Sequence, residues 1–154
     1  MVHIVHGNIF ASDKQTLVNP VNCVGVMGAG LAREFRRRFP GMYKDYLTMV
    51  ALGKVKPGIP YIYKELLQPW IINFPTKYHF RETAMMEYIE KGLCYILAHY
   101  RKWKVTSLAV PALGCGLGGL DWSDVKPVLV AHLSELDIPV DIYAPVERGL
   151  LALW

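Results

Sequence analysis

The chain predicts a three-layer α/β domain, and three observations carry that expectation. Strand-like segments alternate with helical ones along the whole length. Two glycine-rich loops each leave a strand-like segment and lead into a helical one. The composition is that of a packed globule: of 154 residues, 53% are hydrophobic and 19% charged. That supplies a core and excludes a disordered chain.

The segment "HIVHGNIF" (3–10) reads as the first strand. A second, "QTLVNPVN" (15–22), runs into "CVGVMGAG" (23–30). Helical spacing from about Ala29 to Phe39 puts Leu31, Phe35 and Phe39 on one face and Arg33, Arg36 and Arg37 on the other. Pro40 and Gly41 break that helix, and "MYKDYLTMVAL" (42–52) reads as another short one. "KVKPGIP" (54–60) is a loop. "YIYKEL" (61–66) and "PWIINFP" (69–75) read as strands, paired as a hairpin or as sheet neighbours.

Met86, Ile89, Leu93, Leu97 and Tyr100 mark a helix from about Glu82 to Arg101. Gly92 lowers its helix propensity and permits close packing. "VTSLAVPAL" (105–113) is a strand and "GCGLGGL" (114–120) a turn. Ser123 or Asp124 is suited to cap the next helix, with Pro127 in its first turn. Val125, Leu129 and Leu133 give that helix its apolar side. "IPVDIYAP" (138–145) is the last strand, and "VERGLLALW" (146–154) reads as a short helix. No repeat, low-complexity stretch or linker interrupts the pattern.

Several classes are excluded or disfavoured. No apolar run reaches membrane-spanning length, and the N-terminus lacks the pattern of a signal peptide. Cys23, Cys94 and Cys115 are odd in number and widely spaced. That suits reduced thiols in a cytoplasm rather than a disulfide framework or a metal site. The net charge of +4 permits an anionic partner.

Loops that leave strands and open helices suit anions, because glycines let the backbone approach and free N–H groups donate to phosphate oxygens. The loops Gly25–Gly30 and Gly114–Gly119 have this form. The second matches G-x-G-x-x-G, but too little chain follows it for a dinucleotide-binding half-domain. Tight turns and helix packing are the other use of such glycines. Cys115 is either a nucleophile or a small space-filling residue, and no base is placed beside it by the sequence. In "INFPTKYHFR" (72–81) a buried strand ends at Pro75, and Thr76, Lys77 and His79 follow at once.

Taken together, "GNI", "LVNPVN", "VGVMGAGLA" and "VPALGCGLGGLDW" resemble the macrodomain family, whose members bind ADP-ribose. "NFPTKYHF" narrows the resemblance to the branch holding the DarG antitoxins and the terminal ADP-ribose glycohydrolases of animals. The pairing of "NFPTK" with "GCGLGGLDW" is most similar to the DarG type. The resemblance covers nearly the whole chain. It implies a three-layer α/β/α macrodomain with a central mixed sheet over residues 1–154, an excised part of a longer antitoxin being one form this takes. It implies removal of ADP-ribose from thymidine bases in DNA. No cofactor and no metal are implied. The implied partners are ADP-ribose, ADP-ribosylated single-stranded DNA and a DarT-type toxin, with no membrane.

The resemblance also implies site residues. Lys77 matches the catalytic lysine of this branch, and Asn22 assists beside the distal ribose. Asn8 and Ile9 match the segment that meets adenine, where many macrodomains have Asp in place of Asn8. Asn19 precedes Asn22 at the exit of the second strand. Val24, Gly25, Val26, Met27 and Gly28 match the loop around ribose and diphosphate. Gly114, Cys115, Gly116, Leu117 and Gly118 match the second phosphate loop, and Thr76 and His79 flank the lysine. The animal hydrolases carry an Asp at the place of Gly118, and Asp121 belongs to the next helix start. That departure favours a DNA base over a protein ester as substrate.

Arg36 and Arg37, in a cluster with Arg33, Arg38 and Lys44, are candidate DNA contacts or a solvated helix face. Trp70, Tyr78 and Phe80 are candidates for base stacking or for the core. Two other readings of function are a non-catalytic ADP-ribose reader and a hydrolase of protein-linked ADP-ribose or O-acetyl-ADP-ribose.

Overall fold

A computed structural model describes residues 1–145. Six strands form one sheet: β1 (Val2–Val5), β2 (Thr16–Val21), β3 (Tyr61–Tyr63), β4 (Trp70–Pro75), β5 (Leu108–Val110) and β6 (Val140–Tyr143). Their order is β1-β6-β5-β2-β4-β3. All neighbours run parallel except β3, which lies antiparallel against β4 at the edge. The sheet is therefore mixed, as expected.

Among the described residues, four α-helices cover it: α1 (Gly30–Arg38), α2 (Pro40–Ala51), α3 (Met86–Trp103) and α4 (Trp122–Leu133). Strand alternation divides the core into two layers. Val18, Ile72, Phe74, Val110 and Ile142 meet the buried faces of α3 and α4. Leu17, Val21, Ile71 and Tyr143 meet α1 and α2 through Leu31, Phe35, Met42 and Tyr46. This is the three-layer α/β/α arrangement, with helices on both faces of a mostly parallel sheet.

The element boundaries differ from the sequence pattern in places. The first strand stops at Val5, because Gly7 turns the chain at φ +127° and Ile9–Ala11 forms a 3₁₀ turn. α2 begins at Pro40, whose missing N–H costs nothing in a first helical turn. α3 begins at Met86, four residues late, because the preceding backbone is bonded elsewhere: Ala84 N–H donates to the Gly118 carbonyl and Met85 N–H to Thr76. Asp121, not Ser123 or Asp124, is the N-cap of α4, and Pro127 lies inside that helix rather than in its first turn. The strand expected over 105–113 narrows to Leu108–Val110. The helix expected over 146–154 lies outside the described residues. Among the described residues, no helix is long and apolar enough to cross a membrane.

Candidate active site

Three neighbouring parallel strands, β5, β2 and β4, deliver their C-terminal ends to one place. The chain leaves β2 toward α1 on one face and β5 toward α4 on the other. A crevice opens in open α/β sheets where neighbouring connections diverge in this way. Here it is a cleft of about 460 Å³, a size suited to a small-molecule ligand. Asn22, Val26, Gly28, Ala29, Leu31 and Ala32 form one part of its wall, Thr76, Lys77 and Phe80 another, and Gly114, Cys115 and Leu117 a third.

The loop after β2 is held from within. The Asn22 amide Nδ2 donates to the Val26 carbonyl at 2.6 Å, and its Oδ1 accepts from Val24 N–H at 3.0 Å. The hydroxyl of Tyr46, on the buried face of α2, lies 2.8 Å from Asn22 Oδ1 and accepts from Gly25 N–H at 3.2 Å. Gly25 sits at φ +88°, where side chains are rarely tolerated.

The loop after β4 is braced on two sides. Thr76 N–H donates to Val21, Cys23 N–H to Tyr78 at 2.7 Å, and Met85 N–H to Thr76. Lys77 is thereby fixed at the cleft wall, half-buried. Burial holds its ammonium below the ordinary lysine value, and the Glu82 carboxylate opposes that shift. Glu82 also accepts from His79 N–H at 2.7 Å, while His79 Nδ1 accepts from Arg81 N–H and its ring stacks on Phe80. Cys115 is buried, which pushes its thiol up to about 11. It is a poor nucleophile at neutral pH.

Of the residues singled out in the sequence, the structure brings Asn22, Val26, Gly28, Thr76, Lys77, Gly114, Cys115 and Leu117 to the cleft. Phe80, a candidate for base stacking, lines it as well, and the remaining candidates lie outside its walls. Asn19 is fully buried and donates to Asn73 Oδ1 at 3.0 Å, and Asn73 donates to the Tyr61 hydroxyl. Ile9 and Met27 are core residues. Asn8 is exposed and caps the 3₁₀ turn through its bond from Phe10 N–H. Val24, Gly25, Gly116 and His79 belong to the supporting loops, and Gly118 is buried against Ala84. Arg36 and Arg37 line a separate groove beside Gly28. Trp70 sits in β4 under the Lys64 ammonium, away from the cleft. Tyr46 was not foreseen. Its position on an apolar helix face is all the sequence shows of it, and nothing there links it to the loop at 22–26.

The fold and this cleft define a class, and comparison with known proteins agrees. The chain belongs to the macrodomain family: the family model described as Macro domain matches residues 18–129. Among its relatives, the DNA ADP-ribosyl glycohydrolase of Thermus aquaticus is 42% identical over 96% of this chain. The DNA ADP-ribosyl transferase–DNA ADP-ribosyl glycohydrolase fusion protein of Thermosipho africanus is also 42% identical over 96% of the chain. The chain spans 42% of the length of each of these two relatives. The solved macrodomain of Mycobacterium tuberculosis DarG matches with TM-score 0.91 and 41% identity, covering 95% of this chain and 99% of that one. Thermosipho africanus DarTG in complex with ADP-ribose matches with TM-score 0.92 and 41% identity, over 97% of this chain and 43% of that one.

Proposed function

We propose that this chain binds ADP-ribose attached to a thymidine base in DNA and hydrolyses the bond between the anomeric carbon and the base. One observation carries the reading: among the described residues, Lys77 and Cys115 are the only ionisable side chains in the cleft wall, and no carboxylate lines it. The Cys115 thiol is pushed up to about 11 by burial, whereas burial lowers the Lys77 pKa, so Lys77 is the candidate reacting group of the cleft wall.

Cleavage at an anomeric carbon passes through a transition state of oxocarbenium character, so the site must supply a nucleophile and let the base depart. Burial favours the neutral amine of Lys77. That amine attacks the anomeric carbon, a carbon–nitrogen bond to Lys77 forms, and the bond to the base breaks. The lysine nitrogen, positively charged once the new bond forms, gives up a proton, and the base leaves with that proton on its ring nitrogen. Water then hydrolyses the lysine adduct, releasing ADP-ribose and restoring the amine. Asn22 spends one N–H of its amide on Val26, which leaves its second N–H as a donor for a ribose hydroxyl. The backbone of Gly114–Leu117 and of Val26–Gly28 takes the diphosphate.

The relatives support this substrate, since two of them carry the name DNA ADP-ribosyl glycohydrolase in whole or in part and one structure holds ADP-ribose. The fusion of transferase and glycohydrolase in one relative supports work against a DarT-type toxin. The free thiols among the described residues suit a cytoplasmic site.

The test is a paired assay of ADP-ribose release. One substrate is a single-stranded oligonucleotide carrying ADP-ribose on thymidine, the other a protein carrying it on glutamate. Release from DNA and not from protein is expected. Release from protein alone would make this chain an ester hydrolase, and ADP-ribose binding with release from neither would make it a reader.

A further inference from the structure

We propose that the groove lined by Met27, Gly28, Arg33, Arg36 and Arg37 is a second anion subsite, which takes a phosphodiester of the DNA strand next to the modified nucleotide. The proposal rests on the DNA reading above and adds to it how the strand is held. The groove has a volume of about 280 Å³ and shares Gly28 with the ligand cleft. Helix α1 serves both: Leu31 and Ala32 of its first turn line the cleft, and Arg33, Arg36 and Arg37 line the groove.

The helix dipole favours Arg36 and Arg37 in the last turn of α1, but it does not explain Arg33 or say what neutralises Arg36. Glu34 is the carboxylate of α1, and it pairs with Arg37 at 2.8 Å and Arg38 at 3.5 Å. Among the described residues, Arg33 and Arg36 make no ion pair. Arg33 lies near the start of α1, where the helix dipole disfavours a cation, and it stands four residues from Arg37, a spacing at which like charges repel. Arg36 lies over the Tyr43 ring, 4.5 Å from its centroid, which orients the guanidinium without neutralising it. Two charged, unpaired forks beside a third suit the oxygens of a phosphodiester.

Two exposed apolar residues of the cleft fit the same strand. Phe80 and Leu117 line the cleft yet remain 41% and 60% exposed. They can carry bases while the groove holds the backbone, as single-strand sites combine stacking with a basic track. ADP-ribose itself does not require the groove, because the two glycine loops already face the cleft.

The test uses the double variant Arg33→Gln, Arg36→Gln, which leaves the Glu34–Arg37 pair in place. Binding of an unmodified single-stranded oligonucleotide is followed by fluorescence anisotropy across a salt series, and ADP-ribose binding by calorimetry. We expect oligonucleotide affinity to fall about tenfold and the slope of log K against log salt to shrink by about 1.4, for two contacts on a single strand at about 0.7 each. ADP-ribose affinity should stay at the wild-type value. Release from a modified oligonucleotide should show a raised KM, and release from the isolated ADP-ribosyl thymidine nucleoside should not change. Unaltered oligonucleotide affinity and slope would overturn the proposal and leave the groove to an acidic protein surface. Lost ADP-ribose affinity would overturn it too, by making the groove part of the first site. If wild type releases ADP-ribose from no DNA substrate, the proposed activity fails, while anisotropy still decides the groove.

Discussion

The Tyr46 hydroxyl lies 2.8 Å from both the main-chain and the side-chain oxygen of Asn22, and accepts from Gly25 N–H as well. A buried side chain of α2 thus sets the shape of the loop that forms one wall of the cleft. Tyr46→Phe keeps the ring and removes the hydroxyl. Gly25 N–H then loses its partner, at a cost of about 1–3 kcal/mol. Chemical denaturation should show that loss, and calorimetry should show weaker ADP-ribose binding. A variant as stable as wild type with unaltered affinity would deny Tyr46 this positioning role.

Lys77 and Glu82 predict a pH dependence. Burial lowers the lysine pKa below its ordinary 10.5 and Glu82 raises it. If the neutral amine attacks, kcat/KM should rise with pH and level off with a midpoint below 10.5. Glu82→Gln removes the opposing charge, so the midpoint should move lower still. Activity that falls as pH rises through this range would instead make the ammonium a proton donor.

The same shift bears on stability. A lysine whose pKa is lower in the folded state binds fewer protons there than in the unfolded chain. Stability therefore rises with pH between the lowered pKa and 10.5, and at neutral pH the half-buried ammonium is a cost. Lys77→Met should have a Tm no lower than wild type, measured at pH 7. A clear drop in Tm would mean that the lysine holds the fold rather than serving the site.

Gly92 on α3 faces Phe74 on β4, and a Cβ there would clash with the edge of the Phe74 ring. Gly92→Ala gains about 1 kcal/mol of helix propensity. It should nevertheless destabilise the protein by roughly 1–3 kcal/mol through overpacking. Phe74 stands three residues before Lys77, so activity should fall as well. Thermal melts with the hydrolysis assay check both outcomes.

Gly118→Asp tests whether a carboxylate in the second glycine loop would confer release from a protein ester. A Cβ at Gly118 would meet Ala84 Cβ at 3.1 Å, and the Ala84 N–H is bonded to the Gly118 carbonyl. The added side chain should push the segment before α3 and lower Tm without conferring release from glutamate-linked substrate. Gain of that activity would show the loop to be more adaptable than its packing suggests.

Much of this was legible in the sequence, and the exceptions have physical causes. Alternating and helical periodicity located the sheet and the four helices, because each element buries one face, as Leu31, Phe35 and Phe39 do. The boundary before α3 was hidden, since Ala84 and Met85 spend their N–H groups on loops distant in sequence. The glycine loops could be named from local motifs, but Lys77 stood out only through the family resemblance of "NFPTK", since a lysine after a strand is more often a solvated charge. Asn22 and Asn19 were both expected at the ligand, Asn22 assisting catalysis and Asn19 binding, and the burial of Asn19 was illegible because only its partner Asn73, inside the sheet, sets it apart from Asn22 with its own loop. Tyr46 was illegible for a related reason, its role being a tertiary hydrogen bond 24 residues away.

The most direct test of the central claim is Lys77→Ala compared with wild type in two measurements on one preparation. Calorimetry gives ADP-ribose affinity, and a discontinuous assay gives release from an ADP-ribosylated oligonucleotide. The account predicts affinity within about threefold of wild type and release reduced by at least about 10²-fold, the scale of a lost reacting group. Release that persists near the wild-type rate, with binding intact, would remove Lys77 from the chemistry and contradict the account.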